Sequence, residues 1–135
     1  MNLNPGQARK KLVEALRSGE YTQTNKVLRD KHGYCCLGVA CDLYRKTEKP
    51  DEQWEPMGGR SVWEFMGASA ELPEEVMNWL GFATCEGVFT EDYSTSSLTS
   101  LMSLMLLNDE GNSFEYIADA IEDGAVELKE VNHEA

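Results

Sequence analysis

The sequence predicts a predominantly helical α+β domain, with about five short helices around one core and one or two short β-hairpins. Three observations point there. Apolar residues recur at helical spacing in separate segments, each bounded by a capping residue and a glycine. A stretch at about residues 48–70 mixes aromatic residues with strong turn formers, which fits a loop or hairpin insertion. The 135 residues, 41% of them hydrophobic, suffice for one core and are too few for two, so residues 1–135 are expected to form a single domain.

Asn4 and Pro5 read as an N-cap and first helical residue, and Ala8, Leu12, Ala15 and Leu16 continue as one apolar stripe until Ser18 and Gly19 stop it. From Tyr21 to Tyr34 the chain is polar, with Val27 and Leu28 as its aliphatic residues, and a short strand or irregular strand pair is expected. Cys35 to Tyr44 carries Cys36, Leu37, Ala40, Cys41 and Tyr44 at helical spacing and predicts a buried central helix. The next residues, RKTEKPDEQ, read as a charged turn. Pro73 is expected at the first position of a helix whose Glu74 and Glu75 face its positive end, and Gly81 ends it. Gly87 to Thr90 predicts a strand. Ser94 to Ser97 then caps a core helix through Leu98, Leu101, Met102, Met105 and Leu106. In the last helix Asn112 and Ser113 cap a stripe of Phe114, Ile117, Ala118 and Ile121, with Glu115, Asp119, Glu122 and Asp123 on the wet face and Gly124 as the stop.

Charge is segregated along the chain. Residues 1–50 hold ten Lys and Arg against five acids, and residues 51–135 hold two against nineteen, which gives +5 followed by −17. One surface region can therefore attract anions while the remainder repels phosphates, which argues against direct nucleic-acid binding. The longest strongly apolar run, Leu104 to Leu107, is far short of the roughly 20 residues that cross a bilayer. The N-terminal residues lack a secretory pattern, and a cytoplasmic location is expected.

Reactive constellations are incomplete. Cys35 stands at the start of a helix, where the peptide dipoles would lower its pKa, and a hydrolase built on that thiol is the enzyme alternative. A base is missing for it: His133 lies far along the chain and His32 is only three residues away. Cys35, Cys36, Cys41 and Cys85 lack the paired spacing of a zinc site and read as reduced, buried thiols. The turn Leu107 to Asn112 fails the calcium-loop spacing. The stretch LLNDEGNSFEYIADAIE also looks like the first half of a helix-turn-helix, but its second helix would carry four acids and no base. No catalytic residue, metal or cofactor is expected.

What remains is a binding surface. Lys26, Arg29, Lys31 and His32 cluster around Tyr34, and Arg60 stands between Trp54 and Trp63, so together they could hold an anion and cover a ring. The same residues also fit solvated loop charges beside tryptophans that cover the core. The acid excess permits a third expectation, a DNA mimic that occupies a nucleic-acid-binding host protein.

Three segments, ALRSGEYTQTNKVLRDKHGYCCLGVACDLY, LPEEVMNWLGF and LNDEGNSFEYIADAIE, together resemble a family of small proteins of tailed bacteriophages and prophages. The runs Cys-Cys-Leu-Gly-Val and Leu-Asn-Asp-x-Gly-x-Ser-Phe carry the resemblance, and neither is a catalytic signature. It implies a phage context, in the cytoplasm of an infected bacterium, and leaves the chemistry open; together with the incomplete reactive constellations it leads to the expectation of a non-enzymatic, counter-defence role by stoichiometric binding. The partner would be a host protein or a small nucleotide immune signal, with a homo-oligomer as one way to deepen the site.

Overall fold

In a computed structural model, residues 3–58, 61–90 and 102–129 are described, and they form a small α+β fold of five helices and one four-stranded sheet. Helix α1 (Pro5–Ser18) opens with a reciprocal capping box, the Asn4 side chain accepting from the Gln7 amide at 2.8 Å while the Asn4 amide donates to Oε1 of Gln7 at 3.0 Å. Its stripe of Ala8, Leu12, Val13 and Leu16 is buried against three of the other helices.

Strands β1 (Arg29–Asp30) and β2 (Gly33–Tyr34) make a hairpin in the region read as extended, and α2 (Cys36–Glu48) follows it. The helix runs four residues past Tyr44, through part of the segment expected to be a charged turn. Arg45 and Lys46 explain the extension, because both reach back to the Asp42 carboxylate at 3.2 Å, at i+3 and i+4 spacing, and suit the helix's negative end. The second hairpin, β3 (Glu55–Pro56) with β4 (Val62–Glu64), lies within the 48–70 stretch and joins the first in the order β2-β1-β4-β3.

Helix α3 (Glu74–Leu80) uses Pro73 as its N-cap rather than as its first helical residue, and Gly81 closes it in the left-handed conformation. Residues 87–90 are not a strand: Val88 and Phe89 make single bridges to Ser103 and Val126, with no ladder for either to extend. Among the described residues α4 is Leu104–Asp109, capped by the Ser103 hydroxyl accepting from the Leu106 amide at 3.0 Å. The cap expected at Ser94–Ser97, with Leu98 and Leu101, lies outside the described residues. Met102 precedes the helix, and the buried face is Leu104, Leu107 and Asn108, whereas Leu106 is 39% exposed. The stripe was misread because Asn108, although polar, is a core residue. Helix α5 (Phe114–Glu122) has Ser113 as its cap and buries Phe114, Ile117, Ala118 and Ile121 against α1. The five helices and the Phe65, Phe82 and Leu28 side chains share one core.

Asn108 joins the helical layer to the loop before β1. Its Oδ1 accepts from the Cys36 amide and from Nε2 of Gln23, both at 3.0 Å, and its Nδ2 donates to the Thr24 carbonyl at 2.8 Å. At 1% exposure no water can replace these bonds. Asn108→Ala should therefore cost about 3 kcal/mol, since the buried Cys36 amide would be left unmatched and the partly buried Thr24 carbonyl would lose its donor. Urea unfolding monitored by circular dichroism measures it.

Candidate functional site

Strand register puts Arg29 in the middle of a row. It is paired with Tyr34 on one side and Trp63 on the other, and Pro56 lies beyond Trp63 on the edge strand. Cross-strand partners share a face of a sheet, so one cation stands between two rings. Trp54, from the loop before β3, completes the group: the Arg29 guanidinium carbon lies 4.8 Å from the Trp63 ring centre, 5.3 Å from Tyr34 and 5.5 Å from Trp54. These are cation–π distances, and together with the aliphatic stem of the arginine they fix the side chain in one place.

No carboxylate among the described residues comes within ion-pair reach of Arg29. Its neighbour Asp30 is otherwise engaged, one oxygen accepting from the His32 and Gly33 amides at 2.8 and 3.2 Å and the other from the Thr24 hydroxyl at 2.9 Å. Among the described residues the guanidinium therefore has aromatic rings, and no carboxylate, as its partners.

Beneath this face lies Asp42, on the inner side of α2. Its oxygens accept from the Tyr21 hydroxyl at 2.7 Å, the Trp54 indole N–H at 3.1 Å and the Arg45 Nε at 3.2 Å, and Lys46 Nζ stands 3.2 Å away. Burial by itself would raise the carboxyl's pKa, but the bonds from Tyr21 and Trp54 and the Lys46 charge outweigh it and hold the group below the ordinary aspartate value. The same arrangement acts in reverse on Tyr21, whose hydroxyl is pushed well up by burial and by its bond to Asp42. Tyr21 and Trp54 in turn stack edge-on against the Tyr34 ring, at 5.1 and 5.8 Å, so Asp42 holds one wall of the group around Arg29, Trp54, and the ring that backs a second, Tyr21 behind Tyr34.

Of the residues singled out in the sequence, Arg29, Tyr34, Trp54 and Trp63 meet in space. Lys31 and His32 occupy the exposed tip of the β1–β2 hairpin. Lys26 is exposed in the preceding loop with a positive φ of 72°, its amide bonded to Oδ1 of Asp109 at 2.7 Å, which ties that loop to α4. Arg60 lies outside the described residues. Sequence reasoning missed Tyr21, Asp42 and Lys46. A signal for Asp42 was present, a lone carboxylate inside the apolar stripe of α2.

Cys35, Cys36 and Cys41 are buried free thiols, as expected, and it is the lowered pKa of the enzyme alternative from which Cys35 departs. As the N-cap of α2 it does accept a bond from the Gly38 amide, at 3.4 Å, but it is only 3% exposed, and burial pushes its pKa up to about 11 instead of down. Loss of water around a thiolate outweighs the helix dipole here. Iodoacetamide near pH 8 should accordingly label Cys35 no faster than the less buried Cys85, as read by mass spectrometry of timed digests.

Helix α1, the sheet and α5 all fall within residues 5–125, the span matched by a family model described as a domain of unknown function, DUF8296. The chain belongs to that family. No curated protein and no solved structure matches it. The DUF8296 match contains every residue of the Arg29 group and the Asp42 network, so both are built from the family's own span. No helix among the described residues is long and apolar enough to cross a membrane.

Proposed function

We propose that the protein acts by stoichiometric binding of a partner protein through the sheet face around Arg29, without chemical turnover. The observation that carries this reading is the convergence of Trp54, Trp63 and Tyr34 on one arginine that has no acidic partner among the described residues. Tryptophan, tyrosine and arginine are the residues that concentrate binding energy in protein interfaces, and here they are held rigid before any partner arrives. The group sits on a sheet surface, which suits a broad contact, and the guanidinium edge suits a carboxylate on the partner. The resemblance to small phage proteins makes a host protein the natural target and counter-defence the natural purpose.

A nucleotide signal is the second reading, favoured by the placement of the guanidinium beside the Trp63 ring, where a phosphate and a base could be met together. Both readings predict that Arg29→Ala weakens binding by about 1.5 to 3 kcal/mol, the loss of a charge-assisted bond, with little change in thermal stability. Calorimetric titration of host proteins captured by the wild-type chain and lost by the Arg29→Ala chain tests the first. Incubation with a panel of nucleotides followed by heat release tests the second. Recovery of a chemically altered nucleotide would overturn the non-enzymatic reading, and equal affinity of the two chains for every captured protein and nucleotide would overturn the site.

A further inference from the structure

A groove of about 360 Å3 runs between α1 and α5, at the small end of the size range of small-molecule sites. Its floor is apolar, formed by the buried Val13 and Ile121. Its two ends differ. Toward the C-terminal end of α1 the charges are spent on each other, Arg17 donating to Asp119 at 2.6 Å and to Glu122 at 2.8 Å. Toward the N-terminal end stand Arg9 and Lys10, and neither has a carboxylate within ion-pair reach among the described residues.

Arg9 is half-buried, and its protein partner is a backbone carbonyl, Leu80, reached by Nη1 at 2.7 Å. That bond fixes the guanidinium without neutralising it. The other terminal nitrogen lies 3.9 Å from where a Cβ on Gly6 would stand, so the absence of a side chain at Gly6 leaves the mouth of the groove open beside the charge. From Arg9 to Arg17 the helix advances about 12 Å at 1.5 Å per residue. The exposed Glu14 on the rim limits the anion to the Arg9 end.

We infer that this groove is a second binding site, independent of the Arg29 face, for a small amphiphilic anion whose carboxylate meets Arg9 and Lys10 and whose apolar body, about eight carbons long by that helical rise, lies over Val13 and Ile121. A charged head without an apolar tail would leave the floor wet, and a tail without a charge would leave Arg9 uncompensated, so both parts are required.

The test uses octanoate, with octan-1-ol as the uncharged counterpart, titrated into the 15N-labelled full chain. Octanoate should shift the amide signals of Gly6, Val13 and Ile121 together along one saturating curve, and octan-1-ol should bind at least tenfold more weakly. Arg9→Gln should lower octanoate affinity at least tenfold. Since Arg9 also ties α1 to α3, a second variant guards against a folding defect: Gly6→Leu, whose Cβ has ordinary room at 3.4 Å from Asn4 and which fills the mouth beside the guanidinium while both cations stay in the chain, should abolish binding. Arg29→Ala should leave it unchanged. Shifts clustered elsewhere, equal binding of the alcohol, or undiminished binding by the Gly6→Leu chain would each overturn the inference.

Discussion

Replacing Gly38 with alanine should destabilise the protein by about 4 kcal/mol or more, enough to unfold a marginally stable domain of this size. A Cβ at this position would stand 1.8 Å from the Leu28 carbonyl oxygen and 2.7 Å from its carbon, and both are backbone atoms that cannot rotate away. The contact is close for a reason. The Leu28 carbonyl accepts from the Cys35 amide at 3.1 Å, and the Leu28 amide donates to the Ser69 carbonyl at 2.7 Å, so the start of α2, the residue leading into β1 and the segment after β4 are laced together at one point. Gly38 has no positive φ to explain its choice. Its role is steric, as the one residue small enough to let α2 touch the chain that leads into β1. Thermal and urea unfolding of Gly38→Ala, with Gly58→Ala as a control in open space and without a left-handed backbone, measure the effect. A loss below about 1 kcal/mol, the ordinary size of a surface change, would mean that α2 and the Arg29 strand are not packed this closely.

That glycine also marks where the sequence was legible and where it was not. Helices α1, α3 and α5 could be read because their capping residues and stop glycines act locally, within a few residues of the stripe they bound. Helix α4 was misplaced because its boundary rests on Ser103, its buried face includes an asparagine, and that asparagine is needed by Gln23, Cys36 and Thr24, more than 70 residues away. No local pattern encodes such a bond. The same holds for the candidate site. Arg29, Tyr34, Trp54 and Trp63 could be named from their residue types, but their meeting depends on β1 pairing with β4, a register that sequence spacing does not fix. Lys26, Lys31 and His32 looked equivalent to Arg29 in the sequence and differ from it only through the hairpin, which turns one side chain onto the aromatic face and leaves the others at its tip or in the loop before it.

Asp42→Ala should cost about 3 kcal/mol, because it removes a buried acceptor and leaves the Trp54 N–H and the Tyr21 hydroxyl without their partner. The isosteric Asp42→Asn separates charge from shape. Because the folded protein holds this carboxyl below its ordinary value, the unfolded chain binds the proton more tightly, and stability from the group is complete above the unfolded value, near pH 4. It is lost as pH falls from there through the lower folded value. Subtracting the unfolding free energy of Asp42→Asn from that of the wild type between about pH 7 and pH 2 should thus give a difference that is flat in the neutral range and declines only in acid. A flat difference throughout would mean that the carboxylate is not favoured by the fold. The consequence reaches the surface, since Trp54 is one of the three rings under Arg29 and its indole is anchored by Asp42. In the Asn variant at neutral pH, indole emission should move toward the red and become more open to iodide as Trp54 gains contact with water. Binding through Arg29 should then weaken even though Arg29 itself is untouched, which links a buried charge on α2 to the readiness of the face above it.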